Sequence, residues 1–282
     1  MITMIKLIAC DLDETLLNKA KEISDEDVKA ISYARQQGVR FVVATGRGYH
    51  SLDAILKRLD LYQKENEYIM SGNGAVLCES KDFRKLSFHG LSFELANQLF
   101  EYGMQQDVCV QVFTDRDVYA FHINEDEKNV LFGFKPDSIL CDKEDIQFLK
   151  DETIMKVMYQ NTNMDYLHQL ADGMDFVKEH CSISFSSNRY LEFNAMGIHK
   201  GNGLKELCEL LQIDIQDTMA IGDNYNDLTM IQAAGIGVCV ANAQDIVKES
   251  SDYICERDHE HSAVAEAIYR FVKEDEYECT RT

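Results

Sequence analysis

Proline is almost absent: Pro136 is the only one in 282 residues, so no proline-rich linker marks a domain boundary. Long apolar runs are missing too. No stretch reaches the roughly 18 consecutive apolar residues of a membrane-spanning helix. The apolar start, residues 4–10, runs into Asp11 and Asp13 without a basic flank or a small-residue cleavage site. The expectation is a cytoplasmic protein with no membrane partner. Nine cysteines are present but no C-x-x-C pair, which removes zinc-knuckle and thioredoxin-like readings, and an odd count in a long chain argues against a disulfide framework. Basic residues are scarce. Lys and Arg number 28 against 49 Asp and Glu, and a net charge of −21 repels nucleic acid and anionic membrane surfaces. The same charge repels phosphate esters, so any anion site must be locally positive.

What is there is a regular order of apolar runs and turn signals. Residues 5–10 form a short apolar run fit for a buried strand, and Ser24 followed by Asp27 opens a helix carrying Val28, Ile31 and Ala34 that Gly38 can close. Residues 39–44 are a second buried strand, followed by Thr45-Gly46-Arg47 and a helix with Leu52, Ile55, Leu56 and Leu59. Such β-α-β-α alternation specifies a parallel sheet with helices on its faces. From the turn dipeptide Asn73-Gly74 the pattern changes. Strand patterns at 86–89, 108–113, 118–123, 154–159, 183–185 and 190–193, with helical patterns at 93–104 and 164–170, describe a separate α+β unit. Alternation then returns: a helix over about 202–211, a strand at 218–221, a helix from about Asn226, a strand at 236–240 and a last helix from Ser262. One domain is thus interrupted by another, inserted between about Lys81 and Gly197. The acidic tail after Lys273 is expected to be solvated.

Four strand ends carry chemistry-bearing groups. Asp11-Leu12-Asp13-Glu14-Thr15 follows the first strand and places two carboxylates where open α/β sheets bind ligands. One side chain and one backbone carbonyl from this loop can meet on a single cation; the same acids can equally cap the following segment. Thr45-Gly46-Arg47 offers a hydroxyl, an unobstructed N–H and a cation, a phosphate-sized donor set, although Arg47 can also pair with a surface carboxylate. Lys200, between Gly197 and Gly201, stands where the core pattern resumes, and its ammonium can balance the carboxylates. Gly222-Asp223-Asn224-Tyr225-Asn226-Asp227 puts Asp223 at a further strand end and Asn226 and Asp227 just beyond it. Their joint occurrence, in this order on one sheet edge, is far less probable by chance than any one alone.

With these segments the chain resembles the haloacid dehalogenase-like hydrolases, specifically the Cof-type phosphatases with a large inserted cap, over nearly its whole length. Segments 71–75 and 190–194 are similar to that subgroup's flanks of the cap. One departure is Glu14, where a glycine is common. The resemblance implies an α/β fold: a Rossmann-like parallel-sheet core (1–81 and 198–282) with an inserted α+β cap domain (82–197). It implies hydrolysis of phosphate monoesters of small metabolites, such as sugar phosphates, nucleotides or cofactor phosphates. Asp11 would be the nucleophile that becomes an aspartyl-phosphate, and Asp13 the acid and base, with its carboxyl raised beside Asp11. Mg²⁺ would sit on Asp11, the Asp13 carbonyl and Asp223. Lys200, Thr45, Gly46, Arg47, the Leu12 N–H and Asn226 would hold the phosphoryl oxygens, with Asp227 in support. An anionic ester and a carboxylate about 4 Å apart repel by about 4 kcal/mol at an effective dielectric of 20, which is the charge the cation and Lys200 must offset. Two alternatives share these residues: a sugar phosphomutase, and a non-catalytic phosphometabolite-binding protein.

Overall fold

A computed structural model describes residues 5–134 and 136–272; the acidic tail lies outside them. The described chain divides into two compact units, one made of the residues up to Phe88 and from His199 onward, the other of His89–Ile198.

The first unit opens with β1 (Leu7–Cys10), α1 (Asp25–Gln36), β2 (Arg40–Ala44), α2 (Asp53–Arg58), β3 (Tyr68–Ser71), β4 (Val76–Glu79) and β5 (Lys85–Phe88). β1 and β2 are continuous apolar runs because both faces of a parallel sheet are covered by helices. α1 starts where the Ser24 hydroxyl accepts the Asp27 N–H at 3.0 Å, the capping role its sequence suggests.

The second unit runs through α3 (Phe93–Gly103), β6 (Cys109–Thr114), β7 (Val118–Phe121), α4 (Glu125–Phe134), β8 (Ile139–Leu140), β9 (Ile154–Gln160), α5 (Met164–Asp172), β10 (Cys181–Ser186) and β11 (Tyr190–Ala195). Its sheet has the order β10-β11-β9-β6-β7-β8, antiparallel except for the short β7–β8 pair. Alternation along β6, β9 and β11 sends Val110, Val112, Val157, Tyr159, Leu191 and Phe193 into one apolar core.

The chain then rejoins the first unit as α6 (Lys200–Leu211), β12 (Thr218–Gly222), α7 (Leu228–Ala233), β13 (Ile236–Cys239), α8 (Asp245–Glu249), β14 (Tyr253–Ile254) and α9 (Ala263–Phe271). Its sheet has the order β14-β13-β12-β1-β2-β3-β4-β5, parallel from β14 to β3 and antiparallel beyond. The chain winds outward in one direction from β1 and in the other from β12. The β1–β12 boundary is therefore the topological switch point, where the carboxyl ends of the strands leave a crevice.

Two differences from the sequence expectation have a physical cause. The expected 86–89 strand is β5, which ends at Phe88 and belongs to the first unit, because β3, β4 and β5 form a meander that extends the parallel sheet by its antiparallel edge. The helices expected at Leu52 and Asn226 begin at Asp53 and Leu228, each preceded by a tight turn, Tyr49–Ser51 and Tyr225–Asp227. Among the described residues no helix is long and apolar enough to cross a membrane.

Candidate active site

β1 and β12 bring Asp11 and Asp223 to the two sides of the switch point. The Asp11 N–H donates to the Ile221 carbonyl (2.9 Å), prolonging the ladder by one residue, and its side chain is buried. The chain then turns: the Leu12 carbonyl accepts the N–H groups of Leu16 (3.0 Å) and Leu17 (2.8 Å), and Leu17 bridges back to Asp13. This swings Thr15 toward β12, where its hydroxyl donates to Asp223 Oδ1 (2.7 Å). Glu14 stands in the same turn at φ +60°. A glycine is at ease in that left-handed conformation, so the glutamate meets the same backbone at a cost of about 1 kcal/mol.

Lys200 reaches the cluster from the first turn of α6, wholly buried, its Nζ 2.5 Å from Asp11 Oδ1 and 2.5 Å from Asp227 Oδ1. Close backbone packing holds it there. A Cβ on Gly201 would stand 2.3 Å from the Thr229 carbonyl oxygen, and one on Gly203 2.8 Å from Gly74 Cα, so α6 touches main chain on both sides. Gly222 does the same for Asp227: a Cβ there would lie 2.5 Å from Asp227 Cβ. With that space open, Asp227 folds over the end of β12. Its Oδ2 accepts from the N–H groups of Asp223 (3.0 Å) and Asn224 (3.1 Å).

Asp11, Asp223 and Asp227 thus crowd round one ammonium, each offering an oxygen within 4.8 Å of the others. Burial pushes the Asp11 carboxyl up to about 7, opposed by Lys200 and reinforced by Asp227 and Asp223. Burial also pushes Asp223 up to about 6; the Thr15 hydroxyl opposes the shift and Asp227 adds to it. For Lys200, burial favours the neutral amine, but its two carboxylates outweigh that and raise it. The excess negative charge and an all-oxygen donor set fit a hard divalent cation. Among the described residues, hydrogen bonds engage both oxygens of Asp227 but only one each of Asp11 and Asp223. Asp11 and Asp223 therefore suit the ion better, and Asp227 suits Lys200.

Asp13 is not part of this cluster. Its carboxylate is gripped by Arg47, Nε to Oδ2 at 2.8 Å and Nη2 to Oδ1 at 2.6 Å, and by Lys21 Nζ at 2.8 Å. The expectation of a raised Asp13 carboxyl is overturned. Burial does raise it, but the hydrogen bonds and charges of Arg47 and Lys21 outweigh burial and hold it below the usual carboxylate range. Lys21 was not foreseen, because it reaches Asp13 only through the local turn that it ends.

The remaining expected residues meet around Asn73, which the sequence marked only as a turn residue. Asn73 sits at φ +56°, its N–H donates to the Thr45 carbonyl (2.9 Å), and its Oδ1 accepts from Asn226 Nδ2 (3.2 Å). A Cβ on Gly46 would lie 3.2 Å from the same Oδ1. Thr45 is buried, and its hydroxyl accepts the Arg47 N–H at 3.1 Å. Thr45, Gly46 and Asn226 are thus neighbours through one residue, Asn73, beside the Asp11 edge.

Comparison with known proteins agrees with this geometry. Residues 8–268 match the family model described as haloacid dehalogenase-like hydrolase. The 5-amino-6-(5-phospho-D-ribitylamino)uracil phosphatase YcsE of Bacillus subtilis is 31% identical over 271 residues, covering 95% of this chain and 96% of that one. Among solved structures, TM0651 from Thermotoga maritima aligns with a TM-score of 0.84 at 26% identity, covering 95% of this chain and 97% of that one. A haloacid dehalogenase-like hydrolase from Bacteroides thetaiotaomicron aligns with a TM-score of 0.81 at 28% identity, covering 94% of this chain and 99% of that one.

Proposed function

Because this chain belongs to the haloacid dehalogenase-like hydrolases and is a phosphatase, we propose that it hydrolyses monoesters of small phosphorylated metabolites through an aspartyl-phosphate at Asp11, with Mg²⁺ as cofactor. The observation that carries this reading is the buried Lys200 ammonium shared between Asp11 and Asp227 beside Asp223. A buried, paired cation at a strand-end crevice is what an anionic nucleophile needs to meet an anionic ester.

Asp11 attacks phosphorus through one carboxylate oxygen, an O–P bond forms, and the bond to the leaving alkoxide breaks. Lys200 balances the negative charge that gathers at Asp11. Thr45, the N–H groups of Leu12 and Gly46, and Asn226 hold the phosphoryl oxygens in line. The metal would be held by Asp11, Asp223 and the Asp13 carbonyl, and when bound it supplies positive charge against those oxygens.

Asp13 protonates the leaving alkoxide, then takes a proton from the water that opens the aspartyl-phosphate and restores Asp11. Its present grip on Arg47 and Lys21 keeps it charged. In this reading the arriving phosphoryl group draws the Arg47 fork away, which gives Arg47 its phosphate role and releases Asp13 to accept a proton.

The His89–Ile198 unit is assigned the part of the cap that recognises the leaving group. The cytoplasmic setting expected from the sequence is part of this proposal. The ester for which YcsE is named, a ribitylamino-uracil phosphate, is one candidate substrate among sugar, nucleotide and cofactor phosphates. The test is a panel of phosphorylated metabolites assayed for released phosphate, with Asp11→Asn as control. Turnover by wild type and none by a folded Asp11→Asn protein is expected. A folded mutant at near-wild-type rate excludes covalent catalysis at Asp11.

A further inference from the structure

Beside Asp13, and built wholly from the first unit, lies a cleft of about 520 Å³ between the segment after β1 and α2. That volume is within the range of small-molecule sites. Two links tie it to the reaction. Leu17, on its wall, is the residue whose backbone bridges to Asp13, and Lys21, also on its wall, is the residue whose ammonium holds the Asp13 carboxylate. The intervening turn is rigid. Asn18 N–H donates to the Glu22 carbonyl (3.0 Å), Lys21 N–H to the Asn18 carbonyl (2.9 Å), and Glu22 N–H to Asn18 Oδ1 (2.9 Å). Together these hold Lys21 at φ +62°, a conformation that a lysine keeps only where its surroundings over-determine it.

Resting on the phosphatase reading above, we infer that this cleft is a core-side subsite for the leaving alcohol, and that it selects monoesters of polyhydroxylated alcohols over esters carrying a second anionic group. The lining chemistry sets that preference. Both cations are already committed, Lys21 to Asp13 and Arg58 to Asp25, whereas the Glu22 carboxylate carries no ion pair among the described residues. A second phosphate therefore meets an uncommitted negative charge, while a hydroxyl finds an acceptor in Glu22 and a donor in the Asn18 amide. The buried side chains of Ile23 and Ile55 give the C–H face of a carbon chain an apolar floor. Asp13, which hands its proton to the leaving oxygen, is joined to the cleft's wall through Lys21 and Leu17.

The test compares sorbitol 6-phosphate with acetyl phosphate, whose leaving group carries no hydroxyl to meet Glu22 or Asn18, at low ionic strength. Ala54 lines the cleft from an exposed position on α2, so Ala54→Trp fills it without entering the core. The ratio of kcat/KM for sorbitol 6-phosphate to that for acetyl phosphate should fall about tenfold. In Glu22→Lys, fructose 1,6-bisphosphate should gain about threefold on sorbitol 6-phosphate. Unchanged ratios in both variants overturn the subsite. Failure of wild type to turn over either phosphate is a failure of the phosphatase reading instead. The subsite then stands or falls on calorimetric binding of sorbitol 6-phosphate, which Ala54→Trp must weaken by a similar factor.

Discussion

Replacing Asp227 by asparagine separates two parts that this side chain could play. Its two oxygens are fully buried, one on Lys200 and one on the N–H groups of Asp223 and Asn224. The asparagine carbonyl can keep the two backbone bonds, but its amide NH₂ then faces the ammonium, and Lys200 is left with Asp11 alone. Breaking a buried ion pair from one side costs about 3–5 kcal/mol. The retained backbone bonds put the expected loss at the lower end, about 3 kcal/mol, read by urea unfolding in the presence of EDTA. Lys200 then also loses half of what orients it, and kcat should drop by about 10–100-fold, the equivalent of roughly 1.4–2.8 kcal/mol. The Mg²⁺ concentration for half activity should change little, because Asp11 and Asp223 keep their uncommitted oxygens. A large rise in that concentration with kcat preserved would make Asp227 a metal ligand and refute the assignment, and so would a mutant as stable and as fast as wild type.

Other perturbations act on neighbouring parts of the same design. EDTA should silence the enzyme and added Mg²⁺ restore it; indifference to chelation contradicts the metal assignment. Gly222→Ala forces a methyl group into Asp227, where overpacking costs about 1–3 kcal/mol, so thermal stability and kcat should fall together; a loss of neither means that Asp227 does not depend on that gap. In the second unit, burial raises Glu192, but Lys156, through its charge and hydrogen bond, and the Ser186 hydroxyl outweigh it and hold the carboxyl below its ordinary value. A carboxyl depressed by folding contributes stability that is fully present above its unfolded pKa and is lost as pH falls through its lower, folded one. Melting temperatures of Glu192→Gln should therefore depend less on pH than wild type on the acid side, and parallel profiles would show that Glu192 contributes nothing there.

The primary sequence carried most of the architecture because the signals are local. Continuous apolar runs announce β1 and β2, and alternation announces β6, β9 and β11, since the pattern of burial along a strand depends on a few adjacent residues. Short elements escaped for the same reason. β8 and β14 are two residues long, too short to show any period, and exist through pairing with distant strands. β3 and β4 were not named as strands, and β5 was placed with the second unit, because Asn73-Gly74 marks a turn but not which sheet the next strand joins.

For the site, the residue types and their order on the sheet edge were determined by the sequence alone: the acids after β1 and β12, the hydroxyl and glycine after β2, and the lysine opening α6. Tertiary structure alone decided what each group touches. Asp227 turns to Lys200 only because Gly222 leaves space, Asn73, bonded to Thr45, meets Asn226 from 153 residues away, and Asp13 meets two cations where a neighbouring anion was expected. The physical reason is that a charge state depends on burial and on partners a few ångströms away, and those distances are set by sheet register and helix packing, to which separation along the chain is blind.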